Sequence, residues 1–216
     1  MAIVGYVVLA LGAYLLGSIP TGYLVARAKG IDIRSAGSGN IGATNVFRIL
    51  GKPAGVFVLF VDALKGWAAV VGLTQLILLL FNFPPEASWR QTAFIIAGLC
   101  AILGHNYTVW LHFKGGKGIA TSAGVLTALV PWALLIILAI WIILFALTRY
   151  VSLGSIAASF TLPLATWFTT KNETLAIITG AMSALAIYKH RGNIKRLLKG
   201  TEHRFGSKSK SPPPTA

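Results

Sequence analysis

Long runs of apolar residues recur along the chain, and short polar segments separate them. Most of these runs are long enough to cross a bilayer as an α-helix, which takes about 20 residues. The run 119–147 is too long for one comfortable crossing, and Pro131 divides it. The pattern therefore predicts seven transmembrane helices, within 2–26, 54–83, 90–103, 119–130, 131–147, 156–170 and 173–188.

The composition supports the same fold class, an all-α integral membrane protein. Hydrophobic residues make up 56% of the chain and charged residues only 11%, whereas a soluble domain carries about 25% charged residues. The net charge of +14 would indicate nucleic-acid binding in a soluble protein. In a membrane protein it indicates orientation and contact with anionic lipids, so we expect no nucleic-acid partner.

The lysines and arginines predict the orientation of the helices. Only Lys65, Arg90 and Lys171 lie outside four basic segments, which are 27–52, 113–118, 148–152 and 189–216. Cytoplasmic loops are enriched in such residues. Seven crossings place all four segments in the cytoplasm if the N-terminus is outside and the C-terminus is cytoplasmic.

The segment 38–48 is the first polar stretch with candidate chemistry. It combines glycines, hydroxyls, two asparagine amides and Arg48, and it contains no acid. Glycine allows backbone N–H groups to approach an anion closely, and arginine can grip a phosphate with two hydrogen bonds. The alternative is a simple Gly/Asn/Ser connector between two helices.

Three further polar segments are expected at the same membrane face. They are 114–118, 149–155 and 190–193, and each brings cations, hydroxyls or amides but no acid. This shared composition favours one anion-binding basin that holds two phosphates. The sequence Gly115-Gly116-Lys117-Gly118 is not a nucleotide P-loop, because no Ser or Thr follows Lys117.

The remaining ionisable residues leave several interpretations open. Asp62 and Lys65 are neighbours on one helical face, and we expect a mutually neutralising pair rather than a catalytic one. His105 is expected to be a hydrogen-bonding or structural residue. His190 is the better candidate because Asn193 shares its helical face, and the alternative for it is an interfacial helix cap. The four histidines, one cysteine and few carboxylates show no metal-ligand spacing, so we expect no metal.

Together these motifs resemble one family, the bacterial acyl-phosphate:glycerol-3-phosphate acyltransferases. The resemblance runs in order over residues 10 to about 205. It is carried by Gly17-Ser18-Ile19-Pro20, Ser38-Gly39-Asn40-Ile41-Gly42-Ala43-Thr44-Asn45 with Arg48, Asp62-Ala63-Leu64-Lys65-Gly66, Gly104-His105, Phe113-Lys114-Gly115-Gly116-Lys117-Gly118-Ile119-Ala120-Thr121 and Tyr188-Lys189-His190-Arg191-Gly192-Asn193-Ile194-Lys195-Arg196-Leu197.

The resemblance implies a reaction and a site. An acyl group would move from acyl phosphate to the 1-hydroxyl of glycerol 3-phosphate, giving lysophosphatidate and phosphate without a cofactor. Lys117, Arg48 and His190 are the implied catalytic residues. The implied substrate-binding residues are Ser38, Asn40, Thr44, Asn45, Arg48, Lys117, Gly118, Ser155, His190 and Asn193.

Two mechanisms and several wider expectations follow from this reading. Either a phosphate oxygen of the donor takes the hydroxyl proton, or His190 does. We expect one domain over 1–205, a disordered basic tail over 206–216 and an active monomer. The expected location is the bacterial cytoplasmic membrane, with the active site at the cytoplasmic face. An anion transporter and a non-catalytic membrane scaffold are the rival classes.

Overall fold

The computed structural model describes residues 2–83 and 86–206, and every regular element in these two ranges is helical. The helices are α1 (Ala2–Ser18), α2 (Thr21–Arg27), α3 (Ala43–Leu50), α4 (Lys52–Ala68), α5 (Thr74–Leu80), α6 (Ala87–Asn106), α7 (Ile119–Leu129), α8 (Pro131–Thr148), α9 (Val151–Thr170), α10 (Glu173–Lys189) and α11 (Arg191–Leu198). A π-helical turn, Ala69–Leu73, joins α4 to α5, and a 3₁₀ turn, Val109–Leu111, follows α6. The all-α prediction is confirmed.

Five helical stretches in the described ranges are long and apolar enough to cross a membrane. They are Ala2–Arg27, Lys52–Leu80, Ala87–Leu111, Pro131–Thr148 and Val151–Thr170. The apolar helix α7 is shorter, and α10 has 17 residues. The expected division at Pro131 is present, since α7 ends at Leu129 and α8 begins at the proline. The count of seven crossings stays a prediction.

Several helix ends differ from the sequence prediction. The predicted first helix, 2–26, is interrupted, because α1 ends at Ser18 and α2 begins only at Thr21. The predicted polar turn 149–155 is mostly helix, since α9 begins at Val151. The predicted disordered tail, 206–216, lies outside the described residues except for Gly206.

Glycines bring the helix backbones into direct contact in two places. A Cβ at Gly17 would overlap the Ala101 carbonyl, where α1 crosses α6, and one at Gly124 would overlap the Ala63 carbonyl, where α7 crosses α4. Small residues allow such close approach, which drives helix association in membranes. The helices at these two crossings adjoin the polar segments that form the candidate site.

The substitution Gly124→Ala is expected to destabilise the fold by about 1–3 kcal/mol, as overpacking does elsewhere. The new methyl group meets the α4 backbone rather than a movable side chain, so the helices must separate. Thermal unfolding in detergent micelles measures the effect. Gly180→Ala is the matched control, because its Cβ would make only an ordinary contact, 4.0 Å from Pro163. Equal unfolding midpoints for the two variants would contradict the packing account.

Candidate active site

The loop before α3 is shaped by the side chain of Asn45. Its amide nitrogen donates to the carbonyl oxygens of Ala36 and Asn40 at 3.0 and 2.9 Å, and its amide oxygen accepts from the Ser38 backbone at 2.9 Å. Gly39 in this loop has a φ of +69°, a conformation that glycine adopts without strain. The buried Asn45 therefore positions Ser38 and Asn40, and its role in substrate binding stays a prediction.

The glycine loop around Lys117 is fixed by the end of α6. The backbone N–H groups of Gly115 and Gly116 donate to the carbonyls of Asn106 and His105 at 3.2 and 3.0 Å. Gly118 has a φ of +80° and precedes the first turn of α7. This bend directs Lys117 toward α11.

The ammonium group of Lys117 donates a short hydrogen bond to the side-chain oxygen of Asn193. Burial lowers the pKa of Lys117 to about 8, and the nearby cations Arg196 and Arg48 also favour the neutral form, while Glu202 opposes the shift. At neutral pH Lys117 is thus positively charged, and its neighbours do not supply enough negative charge to balance it. This is expected of a lysine that binds an anion.

His190 lies buried at the junction between α10 and α11. Its Nδ1 is 2.8 Å from the Ala186 carbonyl oxygen, which can only accept, so Nδ1 carries the proton. Burial, and then the charge on Lys117, lower the pKa of His190 to about 4. The ring is therefore neutral at pH 7, with Nε2 as a hydrogen-bond acceptor.

Three of the predicted segments meet around one cavity of about 370 Å³. Five of its ten lining residues are Lys or Arg. The lining consists of Ser38, Gly39, Asn40, Lys117, Lys189, Arg191, Gly192, Asn193, Lys195 and Arg196. The expectation of one basic basin formed by separate loops is thus met for these three segments.

Arg48 lies half-buried on α3, one turn after Asn45. Its Nη1 is 3.5 Å from the Asn45 amide oxygen. Burial lowers the pKa of Arg48, which nevertheless stays charged, and Glu202 and Arg196 are its main charged neighbours. Arg48 therefore belongs to the same electrostatic cluster as Lys117.

One acid, Glu202, lies next to the basin and binds two of its lining residues, Asn193 and Arg196, although it does not line the cavity itself. Its carboxylate accepts from Ser152 Oγ at 2.8 Å, Asn193 Nδ2 at 2.7 Å and Arg196 Nε at 2.7 Å. Burial raises the pKa of this carboxyl, but these three hydrogen bonds together lower it below its usual value. Glu202 is thus ionised and connects α9 with α11.

Aromatic packing holds the Glu202 segment in place. The Phe205 ring lies 4.6 Å from that of Phe47 on α3 and 5.4 Å from that of Phe145 on α8, measured between centroids. The Phe205 backbone N–H donates to the Arg149 carbonyl at 2.8 Å. The available sequence signals were Glu202 and Phe205, an acid and an aromatic residue inside a basic C-terminal segment. Neither reveals that the segment folds back onto α3, α8 and α9.

Six of the expected site residues do not line the cavity, namely Thr44, Asn45, Arg48, Gly118, Ser155 and His190. Thr44 is exposed on the first turn of α3. Ser155 donates to the Val151 carbonyl at 2.9 Å and accepts from Trp141 Nε1 at 3.2 Å. Ser152, one turn earlier on α9, is the serine that contacts the basin through Glu202. Within the described ranges, no group of three or more His, Cys, Asp or Glu side chains is arranged to hold a metal ion.

Binding of a phosphate ester is expected to weaken above about pH 8. The Lys117 ammonium is present below its pKa of about 8 and is lost above it. A bound phosphate dianion raises that pKa again, so binding at pH 8.5 should take up a proton. Calorimetry with glycerol 3-phosphate in buffers of different ionisation enthalpy measures the uptake. Lys117→Arg is the control, since guanidinium stays protonated, and equal uptake in both proteins would contradict the assignment.

Comparisons with known proteins place these features in a family. The glycerol-3-phosphate acyltransferase family model matches residues 7–200. A glycerol-3-phosphate acyltransferase of Trichlorobacter lovleyi is 47% identical over 194 residues, which are 90% of this chain and 94% of the relative. The corresponding protein of Geotalea daltonii is 47% identical over 199 residues, covering 92% and 97%.

The fold has a solved counterpart. The crystal structure of PlsY, an integral membrane glycerol 3-phosphate acyltransferase in its glycerol 3-phosphate form, is 42% identical with a TM-score of 0.81. The match covers 93% of this chain and 96% of that one. With the long apolar helices, it confirms a multi-pass membrane protein. The chain therefore belongs to the glycerol-3-phosphate acyltransferase family.

Proposed function

We propose that this protein transfers a fatty acyl group from acyl phosphate to the 1-hydroxyl of glycerol 3-phosphate, releasing lysophosphatidate and inorganic phosphate. The observation that carries the proposal is the cavity where Lys117, Asn193 and the cations of α11 converge beside apolar helices. A cationic basin suits two phosphate-bearing substrates, and the apolar helix surfaces suit the fatty chain of one of them.

All bonds that form and break in the reaction belong to the two substrates. The 1-hydroxyl oxygen attacks the carbonyl carbon of the acyl phosphate, and a new ester bond forms. The bond between that carbon and the bridging phosphate oxygen breaks, and the hydroxyl proton passes to a phosphate oxygen. Lys117 and Arg48 stabilise the charge that grows on the departing phosphate. Positioning of both substrates supplies the rest of the acceleration.

His190 fits the role of a hydrogen-bond acceptor better than that of a general base. With a pKa of about 4 it holds a proton poorly at pH 7, and efficient bases have a pKa near the working pH. Its free Nε2 can accept a hydrogen bond from a glycerol hydroxyl. Ser38, Asn40 and Asn193 complete the polar lining around the substrate headgroups.

Replacing His190 by alanine is therefore expected to leave measurable turnover, about 1–10% of the wild-type kcat, because one orienting hydrogen bond is lost. Initial rates at saturating concentrations of both substrates measure it. The control is His112→Asn, at an exposed histidine in the left-handed conformation that asparagine tolerates. A loss of more than about 10³-fold with unchanged substrate affinities would favour His190 as the base.

The membrane arrangement is part of the proposal. Seven crossings with the N-terminus outside place the basin at the cytoplasmic face of a bacterial cytoplasmic membrane. The concentration of Lys and Arg in the segments that meet there supports this orientation. A monomer is sufficient, because one chain supplies all the residues assigned a role.

The choice of acyl donor tests the proposed function directly. Purified protein in detergent receives labelled glycerol 3-phosphate with palmitoyl phosphate in one reaction and with palmitoyl-coenzyme A in another. Labelled lysophosphatidate should form only with palmitoyl phosphate. Product formation from the thioester at an equal or higher rate would overturn the donor assignment. Product formation with neither donor would overturn the activity.

A further inference from the structure

A buried polar cluster lies outside the cavity, where α4 meets the end of α6. Asp62 and Lys65 are 2% and 5% exposed, and His105 is 4% exposed. Asp62 Oδ1 lies 2.8 Å from Lys65 Nζ and 3.7 Å from His105 Nδ1. None of these three side chains lines the cavity or has a role in the proposed chemistry.

The cluster also binds the break between α1 and α2. Lys65 Nζ donates to the Ile19 carbonyl at 2.8 Å, and Thr21 Oγ1 donates to Asp62 Oδ1 at 3.0 Å. Pro20 interrupts the helical hydrogen bonding there, so carbonyl groups need other donors. Asp62 and Lys65 therefore fix the bend of the first helical run against α4.

On its other side the cluster supports the Lys117 loop. The Gly116 N–H donates to the His105 carbonyl at 3.0 Å, and a Cβ at Gly116 would overlap His105 Nε2. The imidazole thus lies directly against the backbone of the residue before Lys117. Movement of His105 by an ångström would move Lys117 as well.

Burying charged side chains in this way contributes little to stability. Removing two charges from water costs free energy that their mutual attraction often fails to recover, and apolar side chains of similar volume are frequently as stabilising. What the charges add is a fixed geometry, since Asp62 accepts from Thr21 on α2 and Lys65 donates to the Ile19 carbonyl between α1 and α2. The His105 ring, whose Nδ1 lies 3.7 Å from Asp62 Oδ1 without a hydrogen bond to it, packs between this pair and the catalytic loop.

We propose that Asp62, Lys65 and His105 are positioning residues that set the placement of Lys117. The inference rests on the proposed function, because it assumes that Lys117 acts on phosphate. Asp62 and Lys65 tie the bent first helix to α4, the His105 ring packs beside Asp62, and His105 backs the loop at Gly116. Contacts within this cluster thus affect the rate of acyl transfer, although that reaction takes place in the cavity.

The decisive variant is the double substitution Asp62→Asn with Lys65→Met, which removes both charges at nearly constant volume and leaves no unpaired buried ion. Its unfolding midpoint should stay near that of the wild type, while kcat/KM for acyl transfer falls about 10- to 100-fold, as expected for a misplaced catalytic group. The pH above which glycerol 3-phosphate binding weakens should also rise from about 8, because a displaced Lys117 is less buried. A merely structural pair would leave this pH unchanged.

Two further variants keep the test decisive. Val58→Ala removes a fully buried side chain one turn from Asp62 on α4, and it should lower stability without changing the pH profile. His105→Leu leaves the Asp62–Lys65 pair intact and decides the matter if the double variant fails to fold. It should reduce kcat/KM in the same way.

The outcomes separate this proposal from the proposed function. A folded double variant, or a folded His105→Leu variant, with wild-type kcat/KM and an unchanged pH profile would overturn the positioning role. An inactive wild type would overturn the proposed function instead, while the pH profile of glycerol 3-phosphate binding still reports on the placement of Lys117.

Discussion

Lys117→Met should reduce kcat/KM for acyl transfer by about 10³-fold, the largest loss expected of any single substitution in the site. The loss of one preorganised group that stabilises developing charge costs about 10²–10³-fold in other enzymes, and Lys117 contributes a full charge. Methionine keeps the apolar stem of the side chain. The variant therefore loses the ammonium and its hydrogen bond to Asn193, but little packing.

The matched control is Lys114→Met in the same loop. Lys114 is exposed, and it is not among the cavity-lining residues of the described chain. Initial rates of lysophosphatidate formation should distinguish the two variants by at least about 10²-fold. Similar rates for the two would mean that the loop contributes only general positive charge.

Arg48→Ala should lower kcat/KM by about 10²-fold or more, and Arg48→Lys should recover only part of the loss. A guanidinium group grips a phosphate through two parallel hydrogen bonds, whereas an ammonium group is a point charge. Arg48 is half-buried on α3 beside Asn45, which also limits how far a replacement side chain can adapt. Steady-state rates with each substrate varied in turn measure the effect.

Lys29→Ala is the control for this second prediction, because Lys29 is an exposed cation in the same polar segment. It should leave kcat/KM within about twofold of the wild type, since exposed charges are largely screened by salt. Full activity of Arg48→Lys would show that charge alone matters at this position.

The all-helical membrane fold was predictable from the sequence, because membrane helices are recognised by their length and apolar composition. The division at Pro131 follows from the same local physics, and three of the predicted basic segments do meet around one cavity. Orientation rules act on each loop separately, so they predict a shared face without knowledge of tertiary contacts.

The features that escaped prediction depend on contacts between distant residues. Glu202 lies in a basic segment whose composition suggests a solvated tail, and its hydrogen bonds to Ser152, Asn193 and Arg196 place it beside the basin. Asn45 stands in a motif with binding chemistry, yet its amide is used by the backbone of its own loop. Residue type alone does not distinguish a group that supports a site from one that touches substrate.

The break at Ile19 and Pro20 illustrates the same limit. Proline disfavours a continuous helix, but the sequence does not show that the Ile19 carbonyl at the break accepts a hydrogen bond from Lys65 on another helix. The pair of Asp62 and Lys65 was expected from their spacing. Its contacts with α2 and with His105 were not, because they require the folded arrangement of three helices.

The most direct test of the central claim is release of inorganic phosphate from palmitoyl phosphate by the purified protein, with and without glycerol 3-phosphate. Release should depend on glycerol 3-phosphate, match lysophosphatidate formation mole for mole, and fall about 10³-fold in Lys117→Met. Equal release without glycerol 3-phosphate, or full activity in Lys117→Met, would contradict an acyl transfer catalysed in this basin.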